Sequence, residues 1–229
     1  TVGGLSSPLV GREAELAVLC DAIAQLARGQ DAMAAVIGNA GVGKSRLVME
    51  AFRGSDAQSV QHLTGRCLSY GNTIPYHLWV DVLRNSAQIP ADAPPEVADG
   101  LLRAWIARDC PDDCSDIYHA LAGLLSLTAT ASRTAMDASP ADSKLSKPAL
   151  FKAFETLFSN LSASQPLAII CEDLQWADPS SIELLEQLTR LTEQIPLLLV
   201  CIFRPDAAQP IWQLVGRLSA AYQQHHLNL

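Results

Sequence analysis

Basic residues are in the minority. Sixteen Lys and Arg stand against twenty-four Asp and Glu in 229 residues, a net charge of −8. Nucleic acids and anionic membranes are bound by faces that collect Lys and Arg, so this balance argues against a broad surface of either kind. Local positive charge can still gather where one phosphate group needs it. Long apolar runs are lacking too: the longest strongly apolar stretch, Ile195 to Phe203, falls well short of the ~20 residues of a membrane-spanning helix. The chain begins at Thr1 with no positively charged start before an apolar stretch, so no secretory leader is visible. It reads as an excised piece of something longer. A second pair of metal ligands at zinc spacing is also missing. Of six cysteines, Cys110 and Cys114 form a C-x-x-x-C pair near His119, with no partner pair elsewhere. Cys171 and Cys201 sit inside apolar runs, where a thiol behaves as a small buried hydrophobe. Reduced structural thiols in a cytoplasmic protein are the expectation. No internal repeat is found.

What is present is enough for a full core. The chain is 49% hydrophobic, and its length suits one large domain, with or without a small appendage. Apolar runs alternate with amphipathic stretches, the pattern of a parallel sheet covered by helices on both faces. Strands are expected at Ala34–Ile37, Ser59–Thr64, Leu167–Cys171 and Leu197–Phe203, with a short last one near His226–Leu229. Leu16, Leu19, Ile23 and Leu26 recur at helical spacing over Glu13 to Arg28, and Pro179 opens another helix at its first position. Between about residues 76 and 127, three helical patterns broken by Pro90, Pro94-Pro95 and Pro111 read as an insertion between the second and third strands. Residues 128–147 are rich in Ala, Ser, Thr and Asp without periodicity, so an exposed mobile loop is expected there.

The most informative run is Gly38-Asn39-Ala40-Gly41-Val42-Gly43-Lys44-Ser45. It satisfies G-x-x-x-x-G-K-[ST], the phosphate-binding loop (Walker A) of nucleoside triphosphatases. By composition alone the fixed positions arise in on the order of one chain in a hundred of this size. The context narrows that further: Ala34–Ile37 reads as a buried strand and Arg46–Phe52 as a helix opening. Glycines let the backbone curl until successive N–H groups point inward, and the unpaired N–H groups of the first helical turn face the same point. Lys44 is expected on the β- and γ-phosphates and Ser45 on Mg²⁺, with Gly38 through Arg46 as the nucleotide-binding stretch.

Holding a triphosphate is not cleaving it. Hydrolysis needs carboxylates at the carboxyl end of a neighbouring strand, because ligands of open α/β sheets bind there. Leu167–Cys171 ends abruptly in Glu172-Asp173. Consecutive side chains of a strand point to opposite faces, but at a turning strand end both can serve one cleft. Glu172 is assigned to the metal, through water, and Asp173 to polarising the attacking water. Arg204 ends the run Leu197–Phe203. If that strand lies beside the phosphate-loop strand, Arg204 can contact the γ-phosphate and report its presence.

Together these residues resemble a known family. Pro8-Leu9-Val10-Gly11-Arg12-Glu13 looks like the "VGRE" opening of AAA-like ATPases. Glu172-Asp173-Leu174-Gln175-Trp176-Ala177-Asp178-Pro179 and Cys201-Ile202-Phe203-Arg204-Pro205 are similar to segments of the signal-transduction ATPases with numerous domains. The nearest resemblance is to the ATPase module of multidomain adenylate/guanylate cyclases and large ATP-binding transcriptional regulators. It covers nearly the whole chain and is weakest over residues 76–147. It implies a P-loop three-layer sandwich with a five-stranded parallel sheet, the phosphate-loop strand central, and ATP with Mg²⁺ as ligands. The Val10-Gly11-Arg12 backbone would lie against adenine, and Trp176 and Asp178 would support the acidic pair. A helical or winged-helix lid, and sensor and effector domains, would lie outside this chain. Many relatives place Asp before Glu or Asp, whereas here Glu172 comes first. The shorter Asp173 then has a poorer reach, which implies slow hydrolysis.

The leading expectation is a slow Mg²⁺-dependent ATPase acting as a regulatory switch. Its partners would be ATP and ADP, sensor and effector domains of the parent chain and, as an option, further copies of itself, without membrane or direct nucleic-acid contact. Two alternatives stay open: a nucleotide-binding scaffold without turnover, and a nucleic-acid-associated AAA+ machine.

Overall fold

Short apolar runs separated by helices can bury both of their faces in a parallel sheet flanked by two helical layers. The computed structural model describes residues 11–30, 32–54, 59–69, 74–110, 114–133, 146–205, 210–219 and 224–229. Its strands are β1 (Ala32–Ile37), β2 (Gln61–Arg66), β3 (Leu167–Glu172), β4 (Leu197–Phe203) and β5 (Gln224–Asn228). Its helices are α1 (Glu13–Ala27), α2 (Lys44–Ala51), α3 (His77–Ser86), α4 (Pro95–Asp109), α5 (Cys114–Arg133), α6 (Lys147–Ser164), α7 (Pro179–Thr189) and α8 (Pro210–Ser219). All strand pairs are parallel, in the order β2-β3-β4-β1-β5.

The period-two alternation sorts the strands into two cores. Ala34, Val36, Ala168, Ile170, Leu198, Val200 and Ile202 face α1 and α2, through Leu19, Ile23, Leu26, Leu47 and Val48. Met33, Ala35, Ile37, Ile169, Cys171, Leu199, Cys201 and Phe203 face the opposite way, into a larger core with residues of α3 to α8. Trp79 is the centre of that second layer. It is fully buried, lies 5.6 Å from the Phe154 ring and 6.2 Å from Phe158, and donates its indole N–H to the Ser181 carbonyl at 3.0 Å.

The strand given a central place by the family resemblance is not central. β1 lies between β4 and β5, and the middle strand is β4, whose seven residues are all buried. The strand paired to β4 on its other side is β3, so the acids and the phosphate loop flank one middle strand. A second correction concerns residues 128–147. Residues 128–133 continue α5, and Ser146 caps α6 by accepting the Ala149 N–H; residues 134–145 lie outside the described residues. Adding a residue to an existing helix is far easier than nucleating one, so α5 continues into a stretch without apolar periodicity.

The edge strand β2 is covered by α3. Asp81 accepts the Arg66 N–H at 2.8 Å, and Asn85 donates to the Thr64 carbonyl at 2.9 Å. The approach is close because position 65 is glycine: a Cβ there would sit 2.4 Å from Val82 Cγ2 and 2.8 Å from the Leu78 carbonyl oxygen.

Candidate functional site

The loop after β1 turns on glycines in the left-handed region, Gly41 at φ 79° and Gly43 at φ 94°. Gly43 occupies the position just before α2, so the first amides of that helix are presented to the loop's interior. Gly38 is required for a different reason. A Cβ there would lie 2.8 Å from Val42 Cγ1 and 3.1 Å from Leu229 Cβ, so the loop folds down onto the end of the chain. Lys44 is buried and folds back along the loop, its Nζ donating to the Gly38 carbonyl at 2.8 Å and the Asn39 carbonyl at 3.0 Å. Burial pushes the Lys44 ammonium below its ordinary value; Asp173 opposes that shift and Arg204 adds to it.

Those charges meet in one open cleft of about 270 Å³, lined by Ala40, Gly41, Gly43, Lys44, Ser45, Arg46, Asp173 and Arg204. Three cations face one carboxylate there, in a chain whose net charge is −8. The volume falls just below the ~300–1,000 Å³ of small-molecule pockets, which suits a polyphosphate chain better than a whole nucleotide. Arg204 reaches the cleft because β4 does pair with β1, up to Phe203 beside Ile37. Its guanidinium is exposed and lies 6.0 Å from the Trp176 ring.

The two acids part company at the end of β3. Glu172 is still on the strand, opposite Arg66 of β2. It is buried and accepts on one oxygen from Arg66 Nη2 at 2.5 Å and Nε at 3.0 Å. That carboxylate holds the Arg66 guanidinium above even its usual high value. Asp173 leaves the strand in the left-handed conformation, φ 56°, a region Asp tolerates better than most residues. The twist carries its carboxylate out of strand alternation and into the cleft. Its Oδ2 lies 3.8 Å from Arg66 Nε, so the guanidinium borders both acids.

The expected site residues therefore divide. Ala40, Gly41, Gly43, Lys44, Ser45, Arg46, Asp173 and Arg204 line the cleft. Gly38 and Asn39 contribute carbonyls to Lys44, Val42 packs over Gly38, and Glu172 pairs with Arg66. Gly11 and Arg12 do not line the cleft: Gly11 turns the chain at φ 75° and Arg12 pairs with Glu15 at the start of α1. Val10 lies outside the described residues.

Asp178 has a wider reach than a support for its neighbours. It is 2% exposed, caps α7 by accepting the Ser181 N–H at 2.9 Å, and accepts the N–H groups of Tyr76 and His77 at 2.9 and 3.1 Å. One carboxylate thus closes two helix N-termini, where negative charge is favoured. Arg66 and Gln175 carry site contacts that the sequence pattern did not single out. A signal for Arg66 existed in the half-polar run Gln-His-Leu-Thr-Gly-Arg of a one-sided edge strand.

The cysteine environment fits the expected thiols where it is described. Cys67, Cys171 and Cys201 are buried, and burial raises all three, Cys201 to about 12. Cys110 is buried at the end of α4, and the side chain of Cys114 lies outside the described residues. Among the described residues no group of three or more His, Cys, Asp or Glu is arranged to hold a metal ion, and no helix is long and apolar enough to cross a membrane.

The chain is similar to several known proteins. An uncharacterized protein of Rhizobium meliloti (strain 1021) is 28% identical over 217 residues, which cover 91% of this chain and 20% of that protein. The chain thus spans about a fifth of that relative's length. Among solved structures, the Walker-type ATPase PABY2304 of Pyrococcus abyssi matches 96% of this chain and 53% of its own, at 11% identity and a TM-score of 0.40. Drosophila ORC bound to AT-rich DNA and Cdc6 matches 96% of this chain and 58% of its own, at 11% identity and a TM-score of 0.37. A family model described as the AAA ATPase domain matches residues 8–200. The chain, with its phosphate loop, one strand-end acid and a strand-end arginine around one cleft, belongs to the AAA ATPase domain family.

Proposed function

We propose that this domain binds Mg²⁺-ATP and hydrolyses it slowly, as a regulatory switch within a longer signalling protein. The observation that carries the reading is the convergence of Lys44 at the start of α2, Asp173 after β3 and Arg204 after β4 on one cleft. Lys44 would exchange the Gly38 and Asn39 carbonyls for β- and γ-phosphate oxygens, and the loop amides would take the remaining oxygens. Asp173, as the carboxylate facing the cleft, would orient the attacking water and accept its proton. Arg204 would contact the γ-phosphate, so that ATP and ADP leave β4 in different environments.

The donor set also fits magnesium. Magnesium is usually held by one or two carboxylates together with substrate phosphates, and Ser45 in the cleft with Glu172 just behind it offers such a partial shell. When bound, the ion would neutralise triphosphate charge. Glu172 is engaged by Arg66, so the chain's own contribution there is to redirect a carboxylate that already has a partner. That cost favours a slow cycle. The signalling role draws on the Glu172–Pro179 segment and on the small share of its relative that the chain spans.

Purified protein with Mg²⁺-ATP is expected to release phosphate. Lys44→Ala should lose nucleotide binding, and Asp173→Asn should bind normally while losing turnover. Turnover unchanged in Asp173→Asn would remove Asp173 as the base. The Arg66–Glu172 pair also favours a second reading, a nucleotide-organised scaffold without turnover. Equal thermal stabilisation by ADP and ATP, with no phosphate released, would select it.

A further inference from the structure

The β3–β4 ladder ends at Cys171 beside Cys201. Beyond that pair, Asp173 and Arg204 both line the cleft. A buried side chain links them. Gln175, 6% exposed in the 3₁₀ turn Leu174–Trp176, donates from Nε2 to Asp173 Oδ1 at 3.1 Å and accepts the Arg204 N–H on Oε1 at 3.2 Å. The polarity of that bridge is fixed. A carboxylate can take only the NH₂ end of the amide, and a backbone N–H only the carbonyl end. The far side of Arg204 is held as well: its carbonyl accepts the Trp212 indole N–H at 3.3 Å, and that ring packs edge-on against Phe203 at 5.5 Å. The backbone of Arg204 is therefore pinned while its guanidinium stays exposed to the cleft.

We propose that Gln175 is a positioning residue that ties the Asp173 carboxylate to the backbone of Arg204, so that contact of Arg204 with a terminal phosphate also sets the acid. The inference rests on the cleft being a triphosphate site and adds how its two sides are coordinated. Glutamine is suited to the task by chemistry. Glutamate has the same length and keeps an acceptor for Arg204, but sets a second negative charge against Asp173. Methionine fills the volume and makes neither bond. Asparagine is one methylene too short to span both.

The test measures ATP and ADP affinities and the kcat and KM of turnover for wild type, Gln175→Met and Gln175→Glu; thermal melts verify folding. Gln175→Met is expected to lower both the ATP-over-ADP preference and turnover, each about tenfold, the scale of a lost hydrogen bond. Gln175→Glu, which keeps an acceptor for the Arg204 N–H but cannot donate to Asp173, should keep the preference and lower kcat about tenfold. Wild-type preference and turnover in Gln175→Met would overturn the proposal. If Gln175→Met does not fold, Gln175→Glu decides: a wild-type kcat in it overturns the coupling. Failure of the wild type to bind either nucleotide would instead remove the triphosphate reading, and the proposal with it.

Discussion

Arg66 and Glu172 stand opposite one another across the β2–β3 ladder, and both guanidinium bonds fall on the same carboxylate oxygen, at 2.5 and 3.0 Å. The acid is almost completely buried while the arginine is about half exposed. Breaking such a pair from the arginine side strands a buried charge next to the Asp173 carboxylate. Arg66→Ala should therefore lose about 1–2 kcal/mol of stability in urea unfolding, discounted for the exposure of Arg66. If Glu172 serves the metal, Mg²⁺-ATP should return more of the melting temperature to Arg66→Ala than it adds to wild type. Equal increments in the two proteins would separate Glu172 from the metal.

Lys44 offers a test in which the sign of a pH effect matters. Its folded-state value lies below the ordinary 10.5, chiefly through burial. At neutral pH both folded and unfolded chains hold this proton, and the folded chain bears the cost of a desolvated cation. As pH rises through the lowered folded value toward 10.5, the unfolded chain binds more protons and that cost is relieved. Lys44→Met without nucleotide should then be as stable as wild type, or more stable, at pH 7. The gap should narrow toward pH 10, as read by urea unfolding at each pH. The variant should also gain nothing from Mg²⁺-ATP.

Gly65→Ala should be among the costliest single-methyl additions in this chain. The new Cβ meets the Leu78 carbonyl at 2.8 Å as well as Val82, and backbone cannot rotate away as a side chain can. A loss of about 1–3 kcal/mol is expected in urea unfolding. Because Arg66 is the next residue on the same strand, the Arg66–Glu172 pair should loosen with it.

The buried thiols should be chemically silent in the folded chain. With Cys201 pushed up to about 12 and Cys67 and Cys171 also raised, almost no thiolate exists at pH 8. An aromatic disulfide reagent should leave these three untouched until urea unfolds the protein, as peptide mapping of the labelled sites would show.

The pattern of the sequence was most legible where burial is most complete. β4 reads as Leu197–Phe203 from its unbroken apolar run and is observed with the same bounds. β2 is expected at Ser59–Thr64 and observed two residues later, since an edge strand of mixed polarity gives a weak period; the shift conceals Arg66, which ends the strand. The last turns of α5 give no helical signal because Thr128 to Ser132 are small or β-branched and carry no apolar period. The order of the sheet, with β1 away from the middle, is set by which helices cross which face, and no local pattern records that. Glu172 and Asp173 show the same boundary at the site. Alternation says that adjacent acids diverge, but the left-handed turn at Asp173 decides which one enters the cleft.

The pairing of β1 has a consequence for synthesis. Ala32 finds its partner at Leu198, and Met33 at Gln224, so both flanks of β1 are synthesised long after it. A nascent chain halted before Arg204 would carry the whole glycine loop yet lack the wall that shapes it. Ribosome-bound intermediates should accordingly ignore nucleotide until β4 and β5 have emerged, and ATP would act as a late ligand of this domain's assembly rather than an early guide.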